Sequence, residues 1–445
     1  MMKQAQVIIG SGFGDEGKGL ATDFYAAQFG DDALVVRFNG GAQAGHTVVT
    51  PDGQRHVFSH VGSGSLVGAA TYLSRFFVCH PLLFFGECQQ LEGLGITPRV
   101  YVDRDCPITT PFDVMLNQTL EESRGVNRHG SCGLGFGETL ERHRHARFRL
   151  IAADLGQPDR VARILRVIRD DYVPQRLKAL GLSSIADTAQ LTGIIERFVE
   201  DCRLFATIVR ITDTRILQAR FMLIFEGAQG LSLDMNRGVF PYVTRSNTGL
   251  KNVTVLAQEA GIDELSVSYV SRWYATRHGA GPLAFEQDAL SYAGFKDRTN
   301  RPNAWQGSLR LGLLDTDALI AAVQADLADV DTRPVRHEWL ITWADQAPEN
   351  LSFVTNQRIV GGELAELAYG LAAGTGAEAV RFAFGENRDE VTAPEMTPPT
   401  AIIGECGAYA ARFRGRREYF PVGLTTAIRA VDTSSTSYAS PASPG

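Results

Sequence analysis

The run "GSGFGDEGKGLATD", which begins at Gly10 directly after the apolar "VII", constrains the fold more than any other feature of the chain. Five glycines fall between Gly10 and Gly19, with Asp15, Glu16 and Lys18 among them. Before it, "QVIIG" reads as a buried strand, a short apolar run cut off by glycine. After it, "KGLATDFYAAQFG" reads as a helix, with Leu20, Phe24 and Ala27 on one face and Gly30 at its end. "ALVVRFNGG" then supplies a second strand. Strand, glycine-rich loop, helix and strand in that order imply a parallel α/β sheet. The expected fold is therefore P-loop-NTPase-like: a central, mostly parallel sheet flanked by helices, with helical insertions.

The loop has the GxxxxGK spacing from Gly12 to Lys18, with Gly14 and Gly17 inside it. Gly19 stands where a phosphate loop carries Ser or Thr. In such a loop, glycines let backbone N–H groups turn inward to an anion, and the lysine adds a point charge. The missing hydroxyl normally holds magnesium. Asp15 is the hard oxygen ligand available to replace it. A strand–helix turn without a ligand is the competing reading, and the density of Gly, Asp, Glu and Lys weighs against it. The second strand ends in "RFNGGAQAGHTVV", residues 37–49. If the two strands are neighbours, their trailing loops lie side by side at the ligand-binding edge of the sheet. His46 then approaches Asp15, and a carboxylate and an imidazole flanking one bound group suit paired base and acid work.

The chain has 445 residues, 44% of them hydrophobic, which is ample for a large core. Its net charge is -7 and no long basic tract stands out, which argues against a nucleic-acid partner and leaves room for a small anion in a local pocket. The six cysteines form no CxxC pair or ladder, which points to a reduced, cytoplasmic setting. No apolar run approaches the roughly 20 residues of a membrane helix. Residues 158–180 and 186–220 read as two long helices, the first kinked near Pro174. Residues 220–227 and 264–277, "EWLITWAD" and "AVRFAFGENRD" read as strands. The expected organisation is a catalytic domain over 1–390 and an extension over 391–445. In that extension "TAPEMTPP" reads as a linker, the basic run Arg412, Arg414, Arg416 and Arg417 as a solvated face, and 432–445 as disordered.

Over about residues 5–390 the sequence resembles the adenylosuccinate synthetase family. "GFGDEGKG" and "GGAQAGHT" carry the resemblance, followed in order by "GSCGLGFG" (130–137), "FEGAQGLSLDMNRGVFPYVTRSNT" (225–248), "TRHGAGPLAFE" (276–286, family "TRVGAGPFPTE"), "QGSLRLGLLD" (306–315), "TWAD" (342–345, family "TKLD") and "FGENRDE" (384–390). The resemblance implies a ligase that joins L-aspartate to C6 of inosine monophosphate, driven by GTP or ATP, through a 6-phosphoryl intermediate. It implies Asp15 as the base at purine N1, Lys18 and His46 as groups on the transferring phosphoryl, and Mg2+ held by Asp15 and the Gly45 carbonyl. It assigns triphosphate binding to Gly12, Gly14, Glu16, Gly17, Gly19, Gly45, Thr47, Asp345 and Gly385, with Asp345 reading guanine. It assigns the purine monophosphate to Gln43, Ser131, Cys132, Gln229 and Thr244, and the amino acid to Thr299, Asn300, Asn303, Gln306 and Arg310. Family members are homodimers in which one arginine reaches the other subunit's nucleotide; Ala146 falls in that register here, Arg144 and Arg147 lie beside it, and Arg144 is assigned the role.

The chain also departs from the family pattern. Gln43 replaces an asparagine, shifting its amide by about 1.5 Å. Cys132 replaces a threonine, Leu134 an arginine and Trp343 a lysine. In the amino-acid loop only Arg310 stays in register, with Arg298 and Arg301 placed to compensate. An arginine–carboxylate contact is worth on the order of 2 kcal/mol, or about 30-fold in binding. These departures keep two alternatives open: a specialised paralogue acting on another purine monophosphate such as dGMP, and a nucleotide sensor without catalysis.

Overall fold

The computed structural model describes residues 2–185, 191–219, 221–287, 300 and 305–396. Thr299, Asn303, Arg298, Arg301, the basic run of the extension and the stretch 432–445 lie outside the described residues.

The chain opens with β1 (Gln4–Gly10), α1 (Lys18–Ala26) and β2 (Ala33–Arg37). A hairpin of β3 (His46–Val49) and β4 (Arg55–Phe58) follows, then β5 (Ala70–Leu73), α2 (Pro81–Gly93) and β6 (Val100–Asp103). Next comes a helical insertion of α3 (Pro111–Arg124), α4 (Phe136–His143), α5 (Pro158–Val167), α6 (Val173–Leu180) and α7 (Leu191–Ile208). The sheet resumes with β7 (Arg210–Thr212) and β8 (Met222–Glu226), then α8 (Leu250–Ala260), β9 (Glu264–Arg272) and β10 (Tyr274–Arg277). After β11 (Glu286–Gln287) and β12 (Arg310–Leu313) come α9 (Thr316–Leu327), β13 (Val335–Thr342) and the hairpin β14 (Leu351–Thr355)–β15 (Arg358–Gly362). The described chain ends with α10 (Leu364–Thr375), β16 (Ala379–Phe382) and β17 (Glu395–Met396).

Among the described residues the main sheet has the order β17-β16-β13-β9-β1-β8-β2-β5-β6-β7. Its pairs are parallel except β16–β17 at the edge. β1 lies centrally, with Val7 opposite both Phe225 and Val267. Alternate side chains of a strand face opposite sides. Val7 and Ile9 accordingly pack with Leu256 of α8, Val323 of α9 and Leu371 of α10. Ile8 packs on the other side with Leu20, Ala21 and Tyr25 of α1. The insertion packs against α2, the β3–β4 hairpin and the β5–β6 side of the sheet in a second apolar cluster, with Phe84 of α2 and Val102 of β6 meeting Phe112, Leu165, Phe198 and Phe205. Among the described residues no helix is long and apolar enough to cross a membrane.

The expected fold class holds, and several local expectations need correction. β1 and β2 are not neighbours, because β8 lies between them and pairs with both. The irregularity near Pro174 is a π-helical turn over Ile168–Tyr172, which absorbs the hydrogen bond that the proline ring cannot make. The helix expected over 186–220 ends at Ile208, because the next residues pair with β6 as an edge strand. The run 264–277 breaks at Trp273 into two strands of different sheets. The stretch expected as a linker contributes β17 to the main sheet, and Tyr369 donates a hydrogen bond to Glu395.

Candidate active site

The loop after β1 turns sharply before α1. Gly14, Asp15 and Gly17 all take positive φ, at 97°, 60° and 99°. Aspartate is among the few side chains that tolerate this region. Three consecutive carbonyls of the loop are held from behind. Thr276 Oγ1 donates to Gly14 O at 2.7 Å, Arg272 Nε to Asp15 O at 2.5 Å and Thr342 Oγ1 to Glu16 O at 2.8 Å. Glu16 folds back into the loop, accepting from the Gly12 N–H and lying 3.7 Å from Lys18 Nζ. Burial pushes its carboxyl up to about 7, against the pull of Lys18 and the Gly12 N–H. Gly12 therefore serves Glu16. A Cβ at Gly10 would lie 2.1 Å from Glu16 Oε2, 2.7 Å from Gln229 O and 2.8 Å from Lys18 Nζ, so this position requires glycine.

A cavity of about 510 Å³ opens over the loop. Gly14, Asp15, Glu16, Gly17, Lys18 and Gly19 form one wall of it, and Gln43, Gly45, His46 and Thr47 another. The two loops are contiguous: a Cβ at Gly19 would meet Thr47 O at 2.6 Å. The side-by-side arrangement expected from adjacent strands is thus reached with β8 between them. β8 also supplies a residue that the sequence reading missed. Glu226 Oε1 accepts from His46 Nδ1 at 2.6 Å. Glu226 is fully buried, and Ser63 donates to it from its N–H and hydroxyl, with Arg37 Nε at 3.9 Å. Burial resists its ionisation, but Arg37, His46 and Ser63 prevail and hold the carboxyl down at about 2. Burial also lowers the pKa of His46. The pair is a neutral imidazole donating from Nδ1 to a carboxylate, which leaves Nε2 for the cavity.

Ser131, Cys132, Gln229 and Thr244 line the same cavity. Ser131 exchanges hydrogen bonds with Asn117 of α3 at 2.7 and 2.9 Å. Burial pushes the Cys132 thiol up to about 11, so it stays a neutral, weak donor. Gln229 takes φ 58°, and its buried Oε1 has no partner among the described residues; both amide atoms of Gln43 are in the same state. Buried polar groups are normally paired, and unpaired ones facing a cavity mark a place for a ligand. Arg124, His129, Tyr242 and Arg245 also border this end. Tyr242 and Arg245 fall within the 225–248 segment, where no role was assigned to them, and Arg124 and His129 gave no spacing signal in the sequence.

At a third region Asn300 and Gln306 line the cavity with His278. His278 Nε2 stands 3.5 Å from Asp15 Oδ2 and 3.1 Å from Asn300 Oδ1. The imidazole closest to Asp15 in the described contacts is thus His278, at the position where the "TRVGAGP" pattern carries valine. Arg310 does not line the cavity. Its guanidinium pairs with Glu286 at 2.8 and 2.5 Å and donates to Gly279 O and Gly281 O. Trp343, Asp345, Gly385 and Glu386 also line the cavity. Burial, with Glu390 and Glu386 nearby, raises the pKa of Asp345. Arg144 is 73% exposed, pairs with Glu141 and lies outside the cavity.

Magnesium prefers one or two carboxylates completed by water and substrate phosphates over an all-protein cage. The donor set fits that preference. Asp15 presents a partly exposed carboxylate beside Lys18 and Gly45, and among the described residues no three His, Cys, Asp or Glu side chains form a cage.

A family model described as adenylosuccinate synthetase matches residues 7–330. An adenylosuccinate synthetase from Methylibium petroleiphilum is 34% identical over 293 residues, 63% of each chain. One from Xanthomonas oryzae is 32% identical over 335 residues, covering 72% of this chain and 74% of its own length. Two solved structures share the fold. A fully ligated adenylosuccinate synthetase from Plasmodium falciparum has a TM-score of 0.67 at 18% identity, covering 87% of this chain and 99% of its own. The succinoaminodeoxyadenylate synthetase of cyanophage S-2L, bound to dGMP and dATP, has a TM-score of 0.57 at 17% identity, covering 93% and 100%. With the glycine loop, the His46 loop and the Gln229 segment converging on one cavity, and with these matches, the chain belongs to the adenylosuccinate synthetase family of ligases.

Proposed function

We propose that this protein joins L-aspartate to C6 of a 6-oxopurine nucleoside monophosphate, inosine monophosphate, using GTP or ATP and yielding adenylosuccinate. One observation carries the reading: Asp15, Lys18 and His46 share a cavity with the Gln43 amide and the Gln229 Oε1, which have no partner among the described residues. A 6-oxo group is a poor leaving group until it is phosphorylated. Asp15 takes the proton from N1, and O6 attacks the terminal phosphorus as the nucleoside diphosphate leaves. The aspartate amine then adds at C6, phosphate departs and the amine gives up its proton. Phosphoryl transfer depends mainly on positioning and charge stabilisation. Lys18 supplies a buried cation. His46 Nε2, fixed by the Nδ1 contact to Glu226, supplies a directed contact to the transferring group. Magnesium, when bound by Asp15 and the Gly45 carbonyl, neutralises phosphate charge.

Ser131, Thr244 and the amides of Gln43 and Gln229 support binding of the monophosphate. Asn300 and Gln306 support binding of the amino acid. Asp345 supports reading of the triphosphate base. A homodimer in which Arg144 reaches the partner's nucleotide is consistent with its exposure. The retained Asp15 favours a 6-oxopurine handled as inosine monophosphate is, with a base at N1.

The test is turnover of inosine monophosphate, L-aspartate and GTP, followed by product mass, in the unmodified protein and in Asp15→Asn and His46→Ala. Turnover in the first, and its loss in both variants with melting temperature kept, supports the ligase. A protein that binds the triphosphate tightly and consumes no purine monophosphate, dGMP included, is a sensor.

A further inference from the structure

Beside Asp15, in the lining of the same cavity, lies a stack that the chemistry above does not use. The Arg272 guanidinium carbon sits 4.4 Å from the centre of the Trp343 ring and 5.4 Å from that of Tyr274. Arg272 Nε donates to Asp15 O at 2.5 Å, and Nη1 to Tyr274 OH at 2.6 Å. Arg272 is only 4% exposed. Both residues that it joins have left-handed backbone, Asp15 at φ 60° and Trp343 at φ 61°. A bulky side chain in that region is rare and persists only where surroundings impose it. Trp273 Nε1 donates to Trp343 O at 3.0 Å and braces the strained peptide. Trp343 lines the cavity two residues before Asp345, and Arg272 lines it as well.

We propose that Arg272 is a positioning residue that couples the Trp343 end of the nucleotide cavity to the backbone of Asp15. The proposal rests on the reading of Asp15 as the essential carboxylate. A guanidinium can donate along its edge while its face lies on an aromatic ring, and its planar fork fixes both at once. A ligand base seated against Trp343 bears on the ring under Arg272, and through Arg272 on the peptide that aims the Asp15 carboxylate. Binding at the triphosphate end thereby sets the geometry at the purine end. Lysine keeps the charge at this position but has neither the fork nor the stacking face.

The test compares Arg272→Lys, Trp343→Ala, Trp343→Phe and the double variant Arg272→Lys/Trp343→Ala, by steady-state kinetics and by calorimetric binding of GTP. A displacement near 1 Å costs on the order of 100-fold in turnover. Arg272→Lys and Trp343→Ala should each lower kcat by that order, with KM for the purine monophosphate kept within about twofold. Trp343→Phe, which restores an aromatic face, should recover most of the Trp343→Ala loss. The double variant should be no worse than the poorer single one, because both break one relay. Normal kcat in Arg272→Lys, multiplicative losses in the double variant, or losses confined to melting temperature would each overturn the proposal. If Asp15→Asn also retains turnover, the reading of Asp15 fails. If Asp15→Asn is inactive while Arg272→Lys is normal, only the relay fails.

Discussion

His278 Nε2 lies 3.5 Å from Asp15 Oδ2 and 3.1 Å from Asn300 Oδ1, so one ring nitrogen links the glycine-rich loop to the Asn300 side of the cavity, the proposed amino-acid site. Asn300 Oδ1 can only accept, so Nε2 carries the proton, and that N–H also faces the carboxylate. The contact to Asp15 is long and partly exposed, which limits its strength. His278→Val should lower kcat/KM for the amino acid by about tenfold, the scale of one modest hydrogen bond. Steady-state kinetics with varied L-aspartate checks this. An unchanged KM and kcat would mean that the imidazole does no more than fill space.

Glu226 is fully buried and does not line the cavity, yet it decides which nitrogen of His46 faces it. Glu226→Gln keeps the size and allows the wrong tautomer. It should lower kcat by on the order of 100-fold or more, the scale of one positioned acid–base group. Because Arg37 then lies buried without its carboxylate, the melting temperature should fall as well. His46→Ala in the same background should add little further loss if Glu226 acts through that ring.

Asp326 offers a stability test away from the site. Its carboxylate accepts from Leu250 N at 2.8 Å and from Tyr269 OH at 2.9 Å, which joins α8, α9 and β9. Burial pushes its carboxyl from 3.8 up to about 6, against those donors and Arg237. A raised folded-state pKa means that the folded form holds the proton over a range where the unfolded chain has lost it. That stabilisation is complete below about pH 4 and is lost as pH rises through about 6, a change on the order of 3 kcal/mol. Denaturant unfolding between pH 4 and 7 should show this decline in the unmodified protein and a flatter profile in Asp326→Asn.

Two glycine substitutions should part sharply. Gly10→Ala forces a methyl against Glu16, Lys18 and the Gln229 carbonyl. It should abolish triphosphate binding measured by calorimetry. Gly86→Ala, in the interior of α2 with open space at its Cβ, should stabilise the protein by about 0.5–1 kcal/mol.

Much of the site could be read from sequence because its chemistry is carried by short, local runs. The glycine spacing from Gly10 to Gly19 needs backbone with positive φ, which the structure places at Gly14, Asp15 and Gly17. The apolar runs of β1, β2, β8 and β13 announce buried strands without reference to their neighbours. Less local features escaped. Ile208 ends α7 because the residues after it find an edge strand to pair with, and no helical period contains that fact. Arg310 stays in motif register but is engaged by Glu286, a partner 24 residues earlier whose side chain the spacing does not orient.

By itself the sequence determined the class of the fold, the phosphate-type loop, the carboxylate within it and the imidazole on the following loop. Each follows from residue type at short separation. Tertiary structure alone decided that β8 lies between β1 and β2, that Glu226 orients His46, that His278 faces Asp15, and that Arg272 joins Asp15 to Trp343. Those contacts bridge segments far apart in the chain. They arise from strand order and the direction of each side chain, which no local pattern records.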